Sequence, residues 1–118
     1  MNNRTVGSQK EKLAVDFLRN NGLKIEDTNY RFHKMGEIDI IAKDGRTLVF
    51  AEVKYRKTAR AGCAAQAVNY KKIKQICKVS DAYRACKGIS PSVPIRFDVI
   101  AIDADKINWI KNAFPYAL

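Results

Sequence analysis

The chain has 118 residues, 47% of them hydrophobic, which suits one domain over residues 1–118 and leaves too little length for a second. Lysine and arginine number 22 against 12 aspartates and glutamates, so the net charge of +10 favours a polyanionic partner, most often nucleic acid. No apolar run approaches the roughly 20 residues of a membrane-crossing helix, so we expect a cytoplasmic protein without a membrane partner. The three cysteines and one histidine have no metal-ligand spacing, which argues against a zinc site.

An apolar stripe at helical spacing predicts a first helix over residues 8–20. Ser8 followed by Glu11 fits a capping box at the start of this helix, and Gly22 fits a stop just beyond its end. The stripe consists of Leu13, Ala14, Phe17 and Leu18.

Three strands are predicted next. Residues 23–31 alternate imperfectly between apolar and polar side chains, which indicates the first strand. Residues 36–42 and 47–55 flank Asp44 and Gly45, a pair typical of tight turns, and together they predict a β-hairpin.

The second half of the chain predicts a long helix over residues 64–86 and a core strand over 95–102. Residues 107–114 predict an edge strand and a turn, with Trp109 and Phe114 as core residues. The long helix has the length of a crossover between parallel strands. We therefore expect an α/β fold with a mixed central sheet flanked by helices.

The hairpin carries charged residues two apart on each of its strands: Glu37 and Asp39 on one, Glu52 and Lys54 on the other. Residues two apart in a strand point to the same face, so we expect all four side chains on one face of the sheet. With Asp44-Gly45 at the tip of the turn, Glu52 would lie opposite Glu37, and Asp39 and Glu52 would be diagonal neighbours about 7–8 Å apart.

Two carboxylates this close repel each other unless a cation compensates them. Carboxylate oxygens suit Mg²⁺ or Mn²⁺, and a lysine beside such an ion, here Lys54, fits phosphodiester chemistry. The alternative is an ordinary solvated hairpin face, on which Glu37 pairs with Lys54 or Arg56 and no catalysis occurs.

The hairpin residues 36–42 and 50–56, followed by residues 96–99, resemble the YraN family of small bacterial proteins. The resemblance covers nearly the whole chain, and its ordered set of motifs is specific. It also includes Gly7, Glu11 and Ala14 on the first helix, Val68 and Lys72 on the second, and the closing residues 109–114.

That family is similar to the PD-(D/E)XK nuclease superfamily. The resemblance implies a restriction-endonuclease-like core, in the order helix, three strands, helix, strand. It implies that Asp39 and Glu52 bind the metal ion, Mg²⁺ or Mn²⁺, and that Lys54 is the catalytic lysine. The proline that names the superfamily is absent here, since Ile38 precedes Asp39.

Two further matches to the superfamily are weaker. Its Holliday-junction resolvases place a glutamate on the first helix, so Glu11 would complete the catalytic set, with the capping box as the alternative role. Gln66 and Tyr70 resemble the Q-x-x-x-Y motif of RecB-type nucleases.

Several basic residues are candidate phosphate contacts, although each one alone also fits a solvated surface charge. Arg96 and Asp98 share a face of the last core strand, and we expect Asp98 to brace the sheet by pairing with Lys72 or with residues beside Arg96. The candidate nucleic-acid contacts are Arg31, Arg56, Lys57, Arg60, Lys71 and Lys72.

The sequence thus predicts a metal-dependent endonuclease acting on DNA, with branched or repair intermediates as candidate substrates. The first alternative is a nucleic-acid-binding module with a nuclease fold and little turnover, acting in recombination or DNA uptake. The second is an interaction protein whose charge only keeps it in solution. A homodimer is plausible, because junction-cutting relatives act as pairs.

Overall fold

A computed structural model of the protein describes residues 3–56, 69–104 and 106–117. Two helices flank one five-stranded mixed sheet, an α/β architecture consistent with a restriction-endonuclease-like core. This confirms the predicted fold class. The elements are α1 (Asn3–Asn20), β1 (Lys24–Arg31), β2 (Glu37–Asp44), β3 (Thr47–Arg56), α2 (Tyr70–Cys86), β4 (Ile95–Asp103) and β5 (Lys106–Ile110).

The strands lie in the sheet in chain order, from β1 at one edge to β5 at the other. Neighbouring strands are antiparallel except β3 and β4, which are parallel and run side by side from Leu48–Ile95 to Arg56–Asp103. A parallel pair requires a connection that returns the chain to its starting end, and α2 lies in that connection. The predicted crossover is therefore confirmed.

Alternating side chains along β3 serve two separate apolar cores, one on each face of the sheet. Phe50 belongs to the core beneath α2, where Phe97 stacks between it and Phe114 at ring-centroid distances of 5.7 and 5.3 Å. Val49 and Ala51 belong to the core beneath α1. By this alternation Glu52 and Lys54 fall on the α2 face.

Helix α1 begins at Asn3, earlier than the sequence predicted, so Ser8 lies inside the helix. The expected capping box at Ser8 and Glu11 is therefore wrong, because a cap must stand at the helix terminus. Leu13 is also misplaced in the prediction, since it is 40% exposed. Val15 is buried instead, beside Ala14 and Leu18. Gly22 ends the helix as predicted, with a φ of +90°.

The β2–β3 hairpin closes on the pair Asp44–Thr47, so Gly45 and Arg46 form the turn. Gly45 has a φ of +62°, as the first central residue of a type II′ turn requires. The predicted tip, Asp44-Gly45, is off by one residue, which shifts the pairing by two. A shift of two preserves the face of each side chain in a regular ladder, so Glu52 and Lys54 keep their predicted face, but the predicted opposite pairs are wrong. Along β2 the alternation breaks beside Asp39, because Ile38 and Ile40 belong to opposite cores.

Helix α2 is capped by Asn69, whose side chain accepts a hydrogen bond from the backbone N–H of Lys72 at 2.9 Å. Residues 64–68, the predicted first turn of this helix, lie outside the described residues. Phe114 is buried as predicted, but Trp109 is only half-buried and packs edge-on against Phe17 of α1 at 6.0 Å.

Asp98 is fully buried in β4 and accepts four hydrogen bonds. Arg96 donates two of them, at 2.9 and 3.0 Å, while the indole of Trp109 and the backbone N–H of Asn112 donate the others, each at 2.9 Å. The predicted brace exists, but Arg96 itself is the cation and Lys72 is not involved. In the described part of the chain, neither helix has the length and apolarity to cross a bilayer.

Candidate active site

The candidate site lies where the β2–β3 ladder stops. Its last described pair is Ile40–Ala51, and the next residues along the two strands are Asp39 and Glu52. There the backbone N–H of Val53 on β3 donates its hydrogen bond to Asp39 Oδ2, at 2.8 Å, and not to a backbone carbonyl of β2. The strand pairing therefore ends in an acidic notch instead of continuing as sheet.

Glu52 is 5% exposed, an unusual degree of burial for a carboxylate. Two ammonium groups approach its Oε1 atom: Lys72 Nζ from α2 at 3.6 Å and Lys54 Nζ from β3 at 3.8 Å. Its second oxygen, Oε2, is buried and accepts no hydrogen bond from the described residues. A buried carboxylate oxygen without a donor is costly, so this atom requires a proton or a cation.

The two carboxylates perturb each other strongly. Burial, and then the charge of Asp39, raise the pKa of Glu52 to about 7. Burial also raises the pKa of Asp39, against the opposing hydrogen bond from Val53. With a pKa near 7, the carboxyl group of Glu52 takes up a proton as the pH falls through neutrality, much more readily than an ordinary glutamate does.

Glu11 of α1 interacts electrostatically with Asp39. Its Oε1 accepts a hydrogen bond from the side-chain amide of Asn29 on β1. Burial, together with the charges of Asp39 and Glu37, raises the pKa of Glu11, so its carboxyl group lies within electrostatic range of the acidic pair. Asn29 was not predicted as a site residue; its φ of +52° inside a strand is a conformation that asparagine tolerates better than most residues.

The arrangement fits a divalent cation held by two carboxylates. Among residues 3–56, 69–104 and 106–117, no group of three or more His, Cys, Asp or Glu side chains is arranged to hold a metal ion. Mg²⁺, however, commonly takes only one or two protein carboxylates and completes its shell with water and substrate phosphate. Asp39 and Glu52 supply that number, and the orphaned Oε2 of Glu52 is a free ligand atom.

The basic residues predicted to contact nucleic acid differ in their positions and partners in the structure. Arg31 is paired with Glu37 at 2.8 Å, and among the described side chains Glu37 does not pair with Lys54, which the alternative had expected. Lys71 is exposed on the first turn of α2, whereas Lys72 turns inward to Glu52. The Arg56 side chain and residues 57–68, which include Lys57, Arg60 and Gln66, lie outside the described part of the structure.

The position of Lys72 beside Glu52 was not predicted from sequence. The two residues are far apart along the chain and meet only through the packing of α2 on β3. The resemblance singled out Lys72 as a family position but gave it no role at the acidic pair.

Comparison with known proteins agrees with the resemblance. Residues 10–102 match the family described as uncharacterised protein family UPF0102. A UPF0102 protein of Caldicellulosiruptor bescii is 45% identical over 120 aligned residues, covering 97% of this chain and 100% of the relative. One from Legionella pneumophila is 41% identical over 92% of both chains, and one from Vibrio cholerae is 42% identical over 96% of this chain and 94% of the relative. The chain belongs to the UPF0102 family, also called the YraN family.

Proposed function

We propose that this protein is a divalent-metal-dependent nuclease that hydrolyses phosphodiester bonds in DNA. One observation carries the proposal: two carboxyl groups, Asp39 and Glu52, stand next to each other where the β2–β3 ladder ends, with Glu52 buried and two lysine ammonium groups beside it. A folded protein has no structural need for such a costly arrangement, and strongly perturbed groups of this kind cluster at functional sites.

In this proposal Asp39 and Glu52 hold Mg²⁺ or Mn²⁺. When bound, the ion supplies a Lewis acid for the scissile phosphate and a water molecule of lowered pKa. Asp39 Oδ2 is held by the Val53 N–H at 2.8 Å, so Oδ1 is the oxygen that would bind the ion. Glu52 would offer Oε2, the buried oxygen that accepts no hydrogen bond from the described residues, and its pKa of about 7 makes binding of the ion compete with a proton.

The lysines have separate tasks. Lys54 is about a quarter exposed and stands at the rim beside Glu52, so its ammonium group can donate to a phosphate oxygen or to the attacking water. A fixed positive charge at that place stabilises the negative charge that develops on the phosphate in the transition state. Lys72 faces Glu52 from α2, and its positive charge lowers the pKa of Glu52. The lysine therefore favours the ionised form of this carboxyl group.

Glu11 is assigned a positioning role at the edge of this set. Asn29 holds its carboxyl group, and the charges of Asp39 and Glu37 reach it. In this role the negative charge of Glu11 acts on Asp39 through space.

The proposal is tested by incubating the purified protein with supercoiled, branched and single-stranded DNA in Mn²⁺ or Mg²⁺. Asp39→Asn and Glu52→Gln are expected to abolish cleavage. Glu26→Gln is the matched control, because Glu26 forms a surface pair with Lys43 at 3.5 Å away from the notch. Cleavage that persists in Asp39→Asn and Glu52→Gln would come from another site or a contaminant and would refute the proposal.

A second candidate is a nucleic-acid-binding module without turnover. The favouring observation is that Lys54 and Lys72 already place two positive charges beside Glu52, which partly replaces a metal ion. Under this candidate, DNA binding is unchanged by Glu52→Gln and by removal of divalent ions, and it weakens steeply with salt.

A further inference from the structure

We infer that a groove beside the candidate site binds a single-stranded stretch of nucleic acid, with bases against Tyr70 and Met35 and phosphates along the lysines of α2. The inference deepens the proposed function by naming the form of its substrate. It requires binding only, so it can stand or fall separately from cleavage.

The groove consists of two adjoining cavities. The larger, of about 540 Å³, lies along α2 and is lined by Met35, Asn69 and four lysines. The smaller, of about 250 Å³, lies against the β1–β2 connection and includes Arg31 and Lys34. Lys72 and Gln75 line both cavities, so the two are continuous at that point. The lysines of the larger cavity are Lys71, Lys72, Lys74 and Lys78.

Gly36 sets the junction of the two cavities. A Cβ atom at this position would stand 2.5 Å from Cγ of Gln75, and the backbone φ is +141°. The absence of a side chain lets Gln75 of α2 lie directly against the β1–β2 connection.

Charge complementarity points to a polyanion. Among the described residues that line the two cavities, six carry a cationic side chain and one, Glu37, carries a carboxylate, which is already paired with Arg31 at 2.8 Å. The groove also reaches the candidate site, because Lys72 lines both cavities and lies 3.6 Å from Glu52. A polyanion in the groove is thereby led to the acidic notch.

Exposed apolar groups distinguish a single strand from a duplex. Tyr70 is 63% exposed at the start of α2, with Lys74 Nζ 5.1 Å from the centre of its ring. Met35 is 39% exposed in the wall of the larger cavity. A duplex presents phosphates outward and keeps its base faces stacked, so it has no use for an exposed ring and thioether. Unpaired bases stack on such groups while lysines follow the backbone, which is how single strands are bound.

The test measures binding in EDTA, where cleavage does not occur. Labelled oligodeoxyuridylate and oligouridylate of about 16 nucleotides, which differ only in the sugar, are compared with a duplex of the same length by fluorescence anisotropy. We expect the single strands to bind more tightly than the duplex, and the stronger of the two identifies the sugar. Tyr70→Ala should weaken single-strand binding at least about fivefold, whereas Tyr70→Phe, which keeps the ring, should bind like the wild type.

The phosphate path is tested by the salt dependence of the same binding. The double variant Lys74→Ala/Lys78→Ala should reduce the slope of log K against log salt by about 1.4, since each single-strand phosphate contact contributes about 0.7. Lys12→Ala is the matched control, because Lys12 is an exposed lysine on α1. A photocrosslink from bromouracil to the peptides that contain Met35 or Tyr70 gives a readout independent of the variants' stability.

Tighter binding of the duplex, or equal binding by Tyr70→Ala and wild type, would overturn the inference. If single strands bind as expected but no substrate is cleaved in Mn²⁺, the groove stands and the proposed nuclease fails. If duplex is cleaved and single strands do not bind, the nuclease stands and the groove fails.

Discussion

Lys72 Nζ lies 3.6 Å from Glu52 Oε1, so the crossover helix delivers a cation to a buried carboxylate of the central strand. The contact therefore joins β3 to α2, the helix in the connection between the parallel strands β3 and β4. It lies at the notch where the β2–β3 ladder gives way to the Asp39 carboxylate. The electrostatics of the candidate site therefore depend on how α2 packs.

Removing this cation should raise the pKa of Glu52 further. The charge of Lys72 opposes the effects of burial and of Asp39, and it does so more strongly than that of Lys54. Lys72→Met is therefore expected to shift the titration of Glu52 upward by more than Lys54→Met does. Carboxyl ¹³C chemical shifts of labelled glutamate, followed against pH without metal, give both values. A larger shift in Lys54→Met would mean that β3, and not α2, sets the charge of this carboxylate.

The stability of the metal-free protein should depend on pH because of Glu52. The pKa of this group is raised from 4.5 to about 7 on folding, so between these values the folded state binds more protons than the unfolded state. Glu52 therefore makes its whole contribution to the free energy of unfolding below pH 4.5, the pKa in the unfolded state. That contribution falls as the pH rises and is lost once the pH passes about 7, the pKa in the folded state. The loss amounts to roughly 3 kcal/mol at about 1.4 kcal/mol per pKa unit.

Urea unfolding in EDTA at about pH 5 and about pH 8 measures this effect as a difference between proteins. Glu52→Gln should lose less stability than the wild type on going to the higher pH. Glu26→Gln, which removes a surface carboxylate paired with Lys43, should follow the wild type. Parallel behaviour of Glu52→Gln and wild type would show that Glu52 ionises normally in the folded protein.

Asp98 should be important for stability and not for chemistry. It is fully buried, and its four hydrogen bonds tie β4 to the β5 indole and to the chain that follows β5. Asp98→Ala leaves the mostly buried guanidinium of Arg96 without this partner, and loss of one member of a buried pair costs about 3–5 kcal/mol. Thermal and urea unfolding measure the cost. Glu26→Ala, at a surface pair, should cost under about 1 kcal/mol, and an equally small effect in Asp98→Ala would contradict the structural role.

The sequence predicted the acidic pair because strand periodicity is robust to small errors in register. The turn was misplaced by one residue, yet Asp39 and Glu52 came together, since a shift of two preserves the face of each side chain. The order of elements followed from periodicity and turn signals in the same way. The family resemblance then gave roles to Asp39, Glu52 and Lys54 that the spacing alone could not separate from a solvated hairpin.

What escaped prediction depends on contacts between distant segments or on helix ends. The inward turn of Lys72 arises from packing of α2 on the sheet. The Asn29 amide contacts Glu11 only because β1 lies beside α1. Asn29 also has a positive φ, which cannot be predicted from the sequence alone. The start of α1 was placed at Ser8 by a capping motif, but the same residues are also compatible with a helix interior.

The most direct test of the account is calorimetric titration of Mn²⁺ into the wild type and Asp39→Asn, repeated in buffers of different ionisation enthalpy. Because the pKa of Glu52 is about 7, the wild type should bind the ion near neutral pH with release of protons from Glu52, and Asp39→Asn should not bind it. Indistinguishable titrations of the two proteins, or the absence of binding to the wild type, would contradict the proposed metal site.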